Sequence, residues 1–409
     1  MGGVFAFCGT LCVAELATML PQEGGWYVYS RKAFGEYAGF IVGCCDWMMQ
    51  IVAISYLAVA FGEFSAGLQP ALGPHIKLVA VMCVVVLTLL NWVGLRAGSQ
   101  AQELTSLIKA LGLVGFVVAC FVISPRNGAS LPAISLASNG GIFLPLIIAL
   151  QAVVVTYDGW YSAIYFMEED QDPARNLPRS VLGGAVASIA IFLLVNAALL
   201  HVLPMAQLAA SQVPAADVAA LAFGNYGRQI VLLISLVTVV STINALMLIA
   251  PRILFALGRD GLLPRAMASV NSGGTPAGAL LVGAAIVIAL VLSGSFDTLI
   301  AIAAILFVAV YISGFLALLR LRARHPELPR PFKVWGYPWT VFGVVAASAG
   351  FLIASVVGDL KHSFFTLVLI AISYPVYVLG VKKQRPVISE ISASEPPVLK
   401  AEVEYGKLE

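Results

Sequence analysis

The sequence predicts an all-α protein that crosses a membrane many times. Of its 409 residues, 60% are hydrophobic and only 11% are charged, and the mean hydropathy is +0.95. In soluble domains about a quarter of all residues are charged, so most of this chain needs an apolar solvent. Apolar runs as long as a spanning helix, about 20 residues, recur along the chain between short polar segments.

Apolar stretches long enough to span a bilayer are distributed over residues 1–381, which we expect to form one transmembrane domain. The second of these stretches, residues 35–66, is long enough for a strongly tilted or extended helix. From residue 382 onward the chain is charged and contains proline, so residues 382–409 are expected to form a disordered cytoplasmic tail. The predicted spans are 2–21, 35–66, 76–95, 104–123, 141–167, 181–203, 229–257, 277–294, 296–319, 338–357 and 361–381.

Three connecting segments stand out between these stretches. Residues 22–34 are amphipathic, which predicts a segment lying at the membrane interface. Residues 124–140 and 204–226 form two longer and more polar connections.

The positions of lysine and arginine predict the orientation, because cytoplasmic loops are enriched in both. With residues 22–34 in the cytoplasm, every lysine and arginine lies on that side except Lys77, Arg126, Arg228 and Lys361. The C-terminus is then cytoplasmic, and an odd number of spans places Met1 outside. A twelfth helix before residue 2 would place both ends in the cytoplasm, and we expect such a helix to be missing from this sequence.

The residue inventory argues against several classes of protein. The four histidines (His75, His201, His325 and His362) lie far apart at loops or span ends, and we find no nucleophile motif, phosphate loop or paired-histidine motif, so an enzyme is not expected. A net charge of +2 without a basic patch does not indicate a nucleic-acid partner. The six cysteines lack metal-ligand spacing and are interpreted as buried apolar residues, and no cofactor is expected.

Ionisable residues inside membrane spans are costly, so each of them is a functional candidate. The candidates that we single out are Glu15, Asp46, Lys109 and Asp158. For Glu15 and Asp46 we favour structural pairing between helices. For Lys109 two interpretations stay open, namely snorkelling to the interface or a fixed ammonium that replaces a sodium ion or releases a proton.

The span 141–167 contains the most informative pattern. Residues 155–161 read Val-Thr-Tyr-Asp-Gly-Trp-Tyr, which places a glycine, a carboxylate and hydroxyl groups at membrane depth. Such a break is tolerated where the freed backbone groups face protein or a water-filled cavity, and many transporters build substrate sites from broken helices. An ordinary glycine kink is the alternative.

Ser241 and Asn244 are three residues apart in the span 229–257 and therefore share one helix face. Hydrogen bonding between helices is the simpler interpretation, and a polar lining for an ion or lysine site is the alternative.

Four segments in a common order resemble the amino acid–polyamine–organocation superfamily of permeases over nearly the whole chain. The pattern at residues 157–160 (Tyr-Asp-Gly-Trp) is most similar to its L-type and bacterial exchanger branch. The segments are 14–35, with Ala-Glu-Leu-Ala and Gly-Gly-Trp-Tyr-Val-Tyr; 168–179, with Glu-Glu and Arg-Asn-Leu-Pro-Arg; 252–264, ending in Ala-Leu-Gly-Arg-Asp-Gly-Leu-Leu-Pro; and 330–338, with Arg-Pro-Phe-Lys and Gly-Tyr-Pro.

The resemblance implies a LeuT-type fold with two inverted five-helix repeats followed by two extra helices. It implies that the predicted spans are the family's helices two to twelve, with residues 1–123 belonging to the first repeat, 141–319 forming the second and 338–381 the extra pair. The family's first helix, whose glycine-rich unwound segment holds the substrate carboxylate, is then expected to be absent through a late start codon or a truncation.

The same resemblance implies site residues. The unwound part of the family's sixth helix corresponds here to Val155, Thr156, Tyr157, Asp158, Gly159, Trp160 and Tyr161. Val155 departs from an aromatic lid that is common in the family, which either leaves room for a bulkier side chain or weakens occlusion. Asp158 stands where small residues are common and could favour a cationic substrate. Lys109 matches the lysine that replaces sodium in sodium-independent members, with Ser241 and Asn244 facing it.

Together these observations predict secondary transport of an amino acid or related small amine by alternating access, independent of sodium, as exchange or with a proton. The alternatives are a transport-incompetent remnant that lacks the first helix, a polyamine or amine permease, and a channel. The expected partners are the substrate, the lipid bilayer and possible coupling protons, with no accessory subunit specified. Since the sequence contains no Asn-x-Ser/Thr site, we favour the bacterial inner membrane.

Overall fold

The computed structural model describes residues 2–122, 153, 156–211, 213–294, 296–358, 364, 367–368, 371 and 373–378. The predicted connection 124–140, most of the stretches 141–167 and 361–381, Val155 and the predicted tail lie outside the described residues.

The described part of the chain is built from α-helices, with short 3₁₀ helices at Pro70–His75, Ser162–Glu169 and Arg265–Ala268. The α-helices are α1 (Gly2–Met19), α2 (Trp26–Phe34), α3 (Glu36–Leu68), α4 (Ile76–Val93), α5 (Leu95–Val122), α6 (Pro173–Val202), α7 (Met205–Ala210), α8 (Pro214–Phe223), α9 (Asn225–Arg259), α10 (Ala277–Ser293), α11 (Phe296–Arg324) and α12 (Trp339–Gly358).

Within the described residues, eight helices are long and apolar enough to cross a membrane, and α10 is a shorter apolar helix. This confirms the predicted class, an all-α polytopic membrane protein. The long second stretch forms one continuous helix of 33 residues, α3, which begins directly after Gly35. At about 1.5 Å per residue this helix is about 50 Å long, so it exceeds the roughly 30 Å of hydrocarbon.

Some boundaries differ from the sequence prediction for local reasons. Helix α6 begins at Pro173, eight residues before the predicted span, because proline is favoured in the first helical turn and Asp172 precedes it. The predicted polar connection 204–226 contains the two short helices α7 and α8, and Pro214 likewise opens α8.

The segment 22–34 differs most from its prediction. We expected it to lie at the interface, but most of α2 is inside the protein, where it packs against α3 and α11. Trp26 and Tyr29 are fully buried. The side chain of Trp26 fits because Gly314 of α11 has no Cβ: a Cβ there would lie 2.0 Å from the indole ring. The amphipathic pattern is real, but its apolar face packs on protein and not on lipid.

Helix α3 is the centre of the bundle and packs along α9, α11, α2 and α4. Helix α1 packs on α6 and α12, and α5 packs on α9. The buried apolar side chains of these helices form one main cluster, which includes the aromatic side chains at the inner face of α2.

Glu15 is paired, as we favoured from the sequence. Its carboxylate is fully buried in α1 and accepts two hydrogen bonds from Arg322 of α11, at 2.6 and 2.5 Å. The Val334 N–H donates a third at 2.7 Å, and Arg330 lies 3.7 Å away. Since breaking a buried ion pair costs about 3–5 kcal/mol, this contact ties α1 to the end of α11.

A second group of ions, which we call the charged cluster, consists of Glu23, Glu168, Glu169, Arg252 and Arg259. The Arg252 guanidinium is almost fully buried and lies 3.1 Å from Glu23 and 2.5 Å from Glu169. Arg259 binds Glu168 at 2.9 Å, and Glu168 accepts the Glu23 N–H at 3.0 Å. The charged cluster therefore joins the α1–α2 connection, the 3₁₀ helix Ser162–Glu169 and α9.

Two of the three glutamates of the charged cluster, Glu23 and Glu168, have pKa shifts in opposite directions. Burial raises the pKa of Glu23 to about 7, although the Arg252 guanidinium opposes this shift. The Arg259 guanidinium hydrogen-bonds Glu168 and lowers the pKa of that more exposed carboxyl. The two carboxyls therefore titrate in different pH ranges.

We predict that Glu23 makes the protein less stable as the pH rises from 5 to 8. Since its pKa is higher in the folded protein than the ordinary 4.5, the folded protein keeps a proton there that the unfolded chain has lost. The free energy of unfolding should fall by on the order of 2 kcal/mol across this range. In thermal unfolding of the purified protein across this range, Glu23→Gln should lower the pH slope of Tm.

Glu168→Gln is the matched control, because a lowered pKa places the titration of Glu168 below this range, and its pH slope should equal that of the wild type. Equal slopes in the wild type and Glu23→Gln would contradict the prediction.

Candidate functional site

The helix break predicted from residues 155–161 falls at the edge of the described residues. Thr156 is helical, residues 157–161 form a turn, and the 3₁₀ helix Ser162–Glu169 follows. Gly159 has φ +99°, a conformation that side-chain-bearing residues rarely adopt. The glycine therefore permits the change in chain direction, and the backbone of this turn leaves the regular helical hydrogen-bond pattern.

Asp158 lies in this turn and is held by a tyrosine from another helix. The hydroxyl of Tyr311 on α11 donates a hydrogen bond to Asp158. The Tyr311 ring packs against Tyr161, with centroids 5.5 Å apart, and against Trp160 at 5.4 Å. The carboxyl group of Asp158 is thus positioned by aromatic residues.

A cavity of about 330 Å³ opens beside the turn. Its wall combines residues 156–160 with one face of α6, where Ser180, Gly184 and Ser188 follow one another at four-residue spacing, and with Ala6 of α1. Hydroxyl groups and the Asp158 carboxyl give this lining a polar part next to the irregular backbone, and small and apolar side chains form the rest. A site of this size and chemistry can hold a small zwitterion.

A larger cavity of about 830 Å³ lies on the other side of Tyr157 and Trp160, between α1, α11 and α12. Its wall is mostly apolar, and it includes Phe5, Val308 and Phe351. Tyr157 and Trp160 line both cavities. These two side chains therefore separate a more polar compartment from a mostly apolar one.

An aromatic cluster supports the turn. Trp26 lies at its centre, with ring centroids 5.4 Å from Tyr161, 6.2 Å from Trp160 and 5.9 Å from Tyr311. Phe315 stacks on Trp160 at 6.4 Å. Because these rings come from α2, α11 and the turn itself, movement of the turn has to repack residues from three elements.

Ser241 and Asn244 share a helix face, and this face of α9 contacts α5. Asn244 donates to the Gly98 carbonyl at 3.0 Å and accepts from Asn91 at 2.9 Å, and Gln102 lies 3.3 Å from Ser241. These contacts place the two predicted residues in a hydrogen-bonded network between α4, α5 and α9.

Lys109 lies further along α5 than this network. In the pairing of α5 with α9, Gly98 approaches Leu248 and Gly112 approaches Ile234, so the helices are antiparallel and Lys109 is level with residues 237–238. That is about one turn from Ser241. Lys109 is half-buried, and no residue of the described chain accepts a hydrogen bond from it. Gln102, not Lys109, contacts the predicted pair.

Several residues of the site were missed by sequence reasoning. Tyr311 lies in an apolar helix with no distinguishing motif, although a tyrosine in the middle of a predicted span is a weak signal. Trp26 belongs to the Gly-Gly-Trp-Tyr-Val-Tyr segment that carries the family resemblance, but nothing in that segment indicates that its ring contacts the turn. Asp46 was expected to have a structural partner, and its contacts are the Tyr165 hydroxyl at 2.7 and 2.9 Å and Gln50 at 3.4 Å.

Comparisons with known proteins agree with this architecture. The family described as amino acid permease matches residues 1–374. The serine/threonine exchanger SteT of Bacillus subtilis (strain 168) is 26% identical over 393 residues, which cover 94% of this chain and 88% of that protein. The human b(0,+)-type amino acid transporter 1 is 26% identical, covering 81% of this chain and 69% of its own length.

The mouse large neutral amino acids transporter small subunit 2 is 28% identical over 359 residues, which span 81% of this chain and 64% of that protein. These relatives are transporters and not enzymes. With the family match across most of its length, the chain belongs to the amino acid permease family of the amino acid–polyamine–organocation superfamily.

Proposed function

We propose that this permease moves an amino acid by alternating access, independent of sodium, with its substrate site at the turn formed by residues 156–161. The observation that carries the proposal is the half-buried, tyrosine-bound carboxyl of Asp158 in an interrupted helix, beside a cavity of about 330 Å³ with hydroxyl groups in its wall. Irregular backbone at membrane depth is tolerated where it lines such a cavity, and there it offers free N–H and C=O groups.

The chemistry of an amino acid fits these groups. Free N–H groups near Gly159 would bind the substrate carboxylate, and free carbonyls or Asp158 would bind its ammonium. Tyr157 and Asp158, together with Val155, would shape the pocket for the substrate side chain. The name of the Bacillus relative, a serine/threonine exchanger, supports exchange and a small substrate.

Lys109 supplies the second part of the proposal. Its ammonium would stand where other carriers bind sodium, and it would tie α5 to α9 and to the remainder of the site. A half-buried lysine that lies one turn from the polar residues of α9 supports this role. The excess of lysine and arginine on one side of the predicted spans supports a cytoplasmic C-terminus.

Counterflow in proteoliposomes tests the transport function. Vesicles loaded with an unlabelled compound are diluted into the labelled one, with L-serine, L-leucine, L-arginine and putrescine as probes and no sodium present. A carrier accumulates label transiently, whereas a channel does not. Counterflow with putrescine alone would favour the amine permease, and no counterflow with any probe would favour a transport-incompetent remnant.

We predict that Asp158→Asn changes substrate selectivity by removing the negative charge at the turn. Counterflow of L-arginine should fall at least tenfold relative to that of L-serine, because one charge–charge contact in a buried site is worth more than 1.4 kcal/mol. Glu103→Gln, an exposed carboxyl on α5, is the control and should keep the wild-type ratio. An unchanged ratio in Asp158→Asn would rule out this role.

A second prediction concerns Lys109. Lys109→Ala should abolish coupled transport and leave the protein folded, because the fixed ammonium is lost without a change in the helix core. Uptake and size-exclusion chromatography measure the two properties. Arg96→Ala, an exposed cation at the start of the same helix, is the control. Wild-type flux in Lys109→Ala would contradict the assignment.

A further inference from the structure

Asp46 lies deep in the bundle. It is fully buried and comes ten residues after the start of α3, about 15 Å along a helix that crosses roughly 30 Å of hydrocarbon. Glu15 is buried to the same extent, but two hydrogen bonds from Arg322 balance its charge. The two carboxyls therefore have the same burial and different partners.

No positive charge balances Asp46 within the described part of the chain. Its contacts are the Tyr165 hydroxyl, at 2.7 and 2.9 Å from the two carboxyl oxygens, and the Gln50 amide at 3.4 Å. Most cations on the helices packed against α3 have other partners: Arg31 pairs with Asp260, Arg228 with Asp217, Arg252 with Glu23 and Glu169, Arg259 with Glu168, Arg322 with Glu15, Lys77 with the Leu292 carbonyl, and Arg320 lies over the Phe34 ring. Lys32 and Arg324 are exposed at the surface.

The remaining titratable groups around Asp46 cannot supply a positive charge either. They are Tyr161 in the turn, Tyr165 in the 3₁₀ helix that follows it, the carboxyl of Asp158, and the thiol of Cys45, which precedes Asp46 in α3. A buried carboxylate without a cation is costly, and the usual result is that it takes up a proton.

The hydrogen-bond geometry fits a protonated Asp46. A tyrosine hydroxyl carries one hydrogen, yet both carboxyl oxygens of Asp46 lie within 2.9 Å of the Tyr165 oxygen. Donation by Tyr165 to one oxygen and donation by an Asp46 O–H back to the Tyr165 oxygen satisfies both contacts. In addition, the side-chain oxygen of Gln50, the other residue that contacts Asp46, is buried and accepts no hydrogen bond from any described residue.

Tyrosine side chains connect Asp46 with the substrate cavity. Tyr161 lies between the other two, with ring centroids 6.1 Å from Tyr165 and 5.5 Å from Tyr311, and the Tyr311 hydroxyl binds Asp158 in the cavity wall. Tyr165 follows the turn by only four residues. Rearrangement of the turn during transport would therefore change the contact that holds the Asp46 proton.

We propose that Asp46 is a proton-binding site that couples substrate movement to a proton, with Tyr165, Tyr161 and Tyr311 linking it to the cavity at Asp158. The proposal rests on the transport function proposed above and selects the proton-coupled form of it. In each cycle the Asp46 carboxyl takes one proton from water on one side of the membrane and releases it to water on the other, and no other bond is made or broken.

The test compares initial uptake into proteoliposomes with and without an inward proton gradient, pH 6 outside and pH 7.5 inside. The probe is whichever of L-serine, L-leucine and L-arginine gives the largest counterflow. The measured quantity is the ratio of uptake with the gradient to uptake without it. We expect this ratio to be at least three for the wild type and near one for Asp46→Asn. Counterflow by Asp46→Asn should stay within about threefold of the wild type, since asparagine resembles the protonated acid in shape.

Glu36→Gln is the matched control, an exposed carboxyl on the same helix, and should keep the wild-type ratio. If Asp46→Asn does not fold, Tyr165→Phe decides the question, and its ratio should be less than half that of the wild type. A wild-type ratio in either of these two folded variants would overturn the proposal. Wild-type counterflow without any response to the gradient would overturn this inference alone, whereas absence of counterflow would overturn the proposed function.

Discussion

The cost of removing a carboxylate from water constrains the interior of this bundle, and the chain meets that cost in two ways. Glu15 pairs with Arg322, which binds α1 to α11 and makes the carboxylate a structural link. Asp46 and Asp158 are bound by the hydroxyls of Tyr165 and Tyr311. A hydroxyl accommodates either protonation state, while an arginine favours only the ionised one. The paired acid therefore holds the scaffold together, and the tyrosine-bound acids are the ones to which we assign roles in transport by proposal.

The tyrosines can reach these acids because the backbone approaches closely at a few glycines. Gly159 allows the turn that carries Asp158, and Gly314 leaves space for Trp26, which supports Tyr161 and Tyr311. Packing at crystal-like density makes such a cluster sensitive to small displacements. A substrate that shifts the turn would thus move Trp26 and its neighbours together, which connects binding to movement of helices.

Within the described residues, the sequence predicted where long apolar helices lie, since hydropathy and length determine which helices can cross a bilayer. It also identified the break, because Gly159 and Asp158 are both unusual at membrane depth. It did not identify Tyr311 or Tyr165, whose roles depend on which helices become neighbours. The same limit explains α2: its amphipathic pattern does not reveal whether the apolar face meets lipid or, as for Trp26, protein.

For a similar reason, a single sequence does not predict which residues of one helix lie level with which residues of its neighbour. Ser241 and Asn244 share a face as their spacing predicts, but the antiparallel pairing of α5 with α9 brings Gln102 to that face, with Lys109 about a turn away. The position of a helix along its neighbour is determined by side-chain packing over many turns. Spacing within one helix contains no information about it.

The central claim is that the cavity beside residues 156–161 is where the amino acid binds. Substrate protection of a cysteine placed in its wall, Ser188→Cys in a background with the native cysteines replaced by alanine, tests this most directly. A transported amino acid should slow labelling by a membrane-impermeant thiol reagent severalfold, and labelling of Ser272→Cys in an exposed loop should not change. Equal labelling rates of Ser188→Cys with and without an amino acid that the same protein transports would contradict the account.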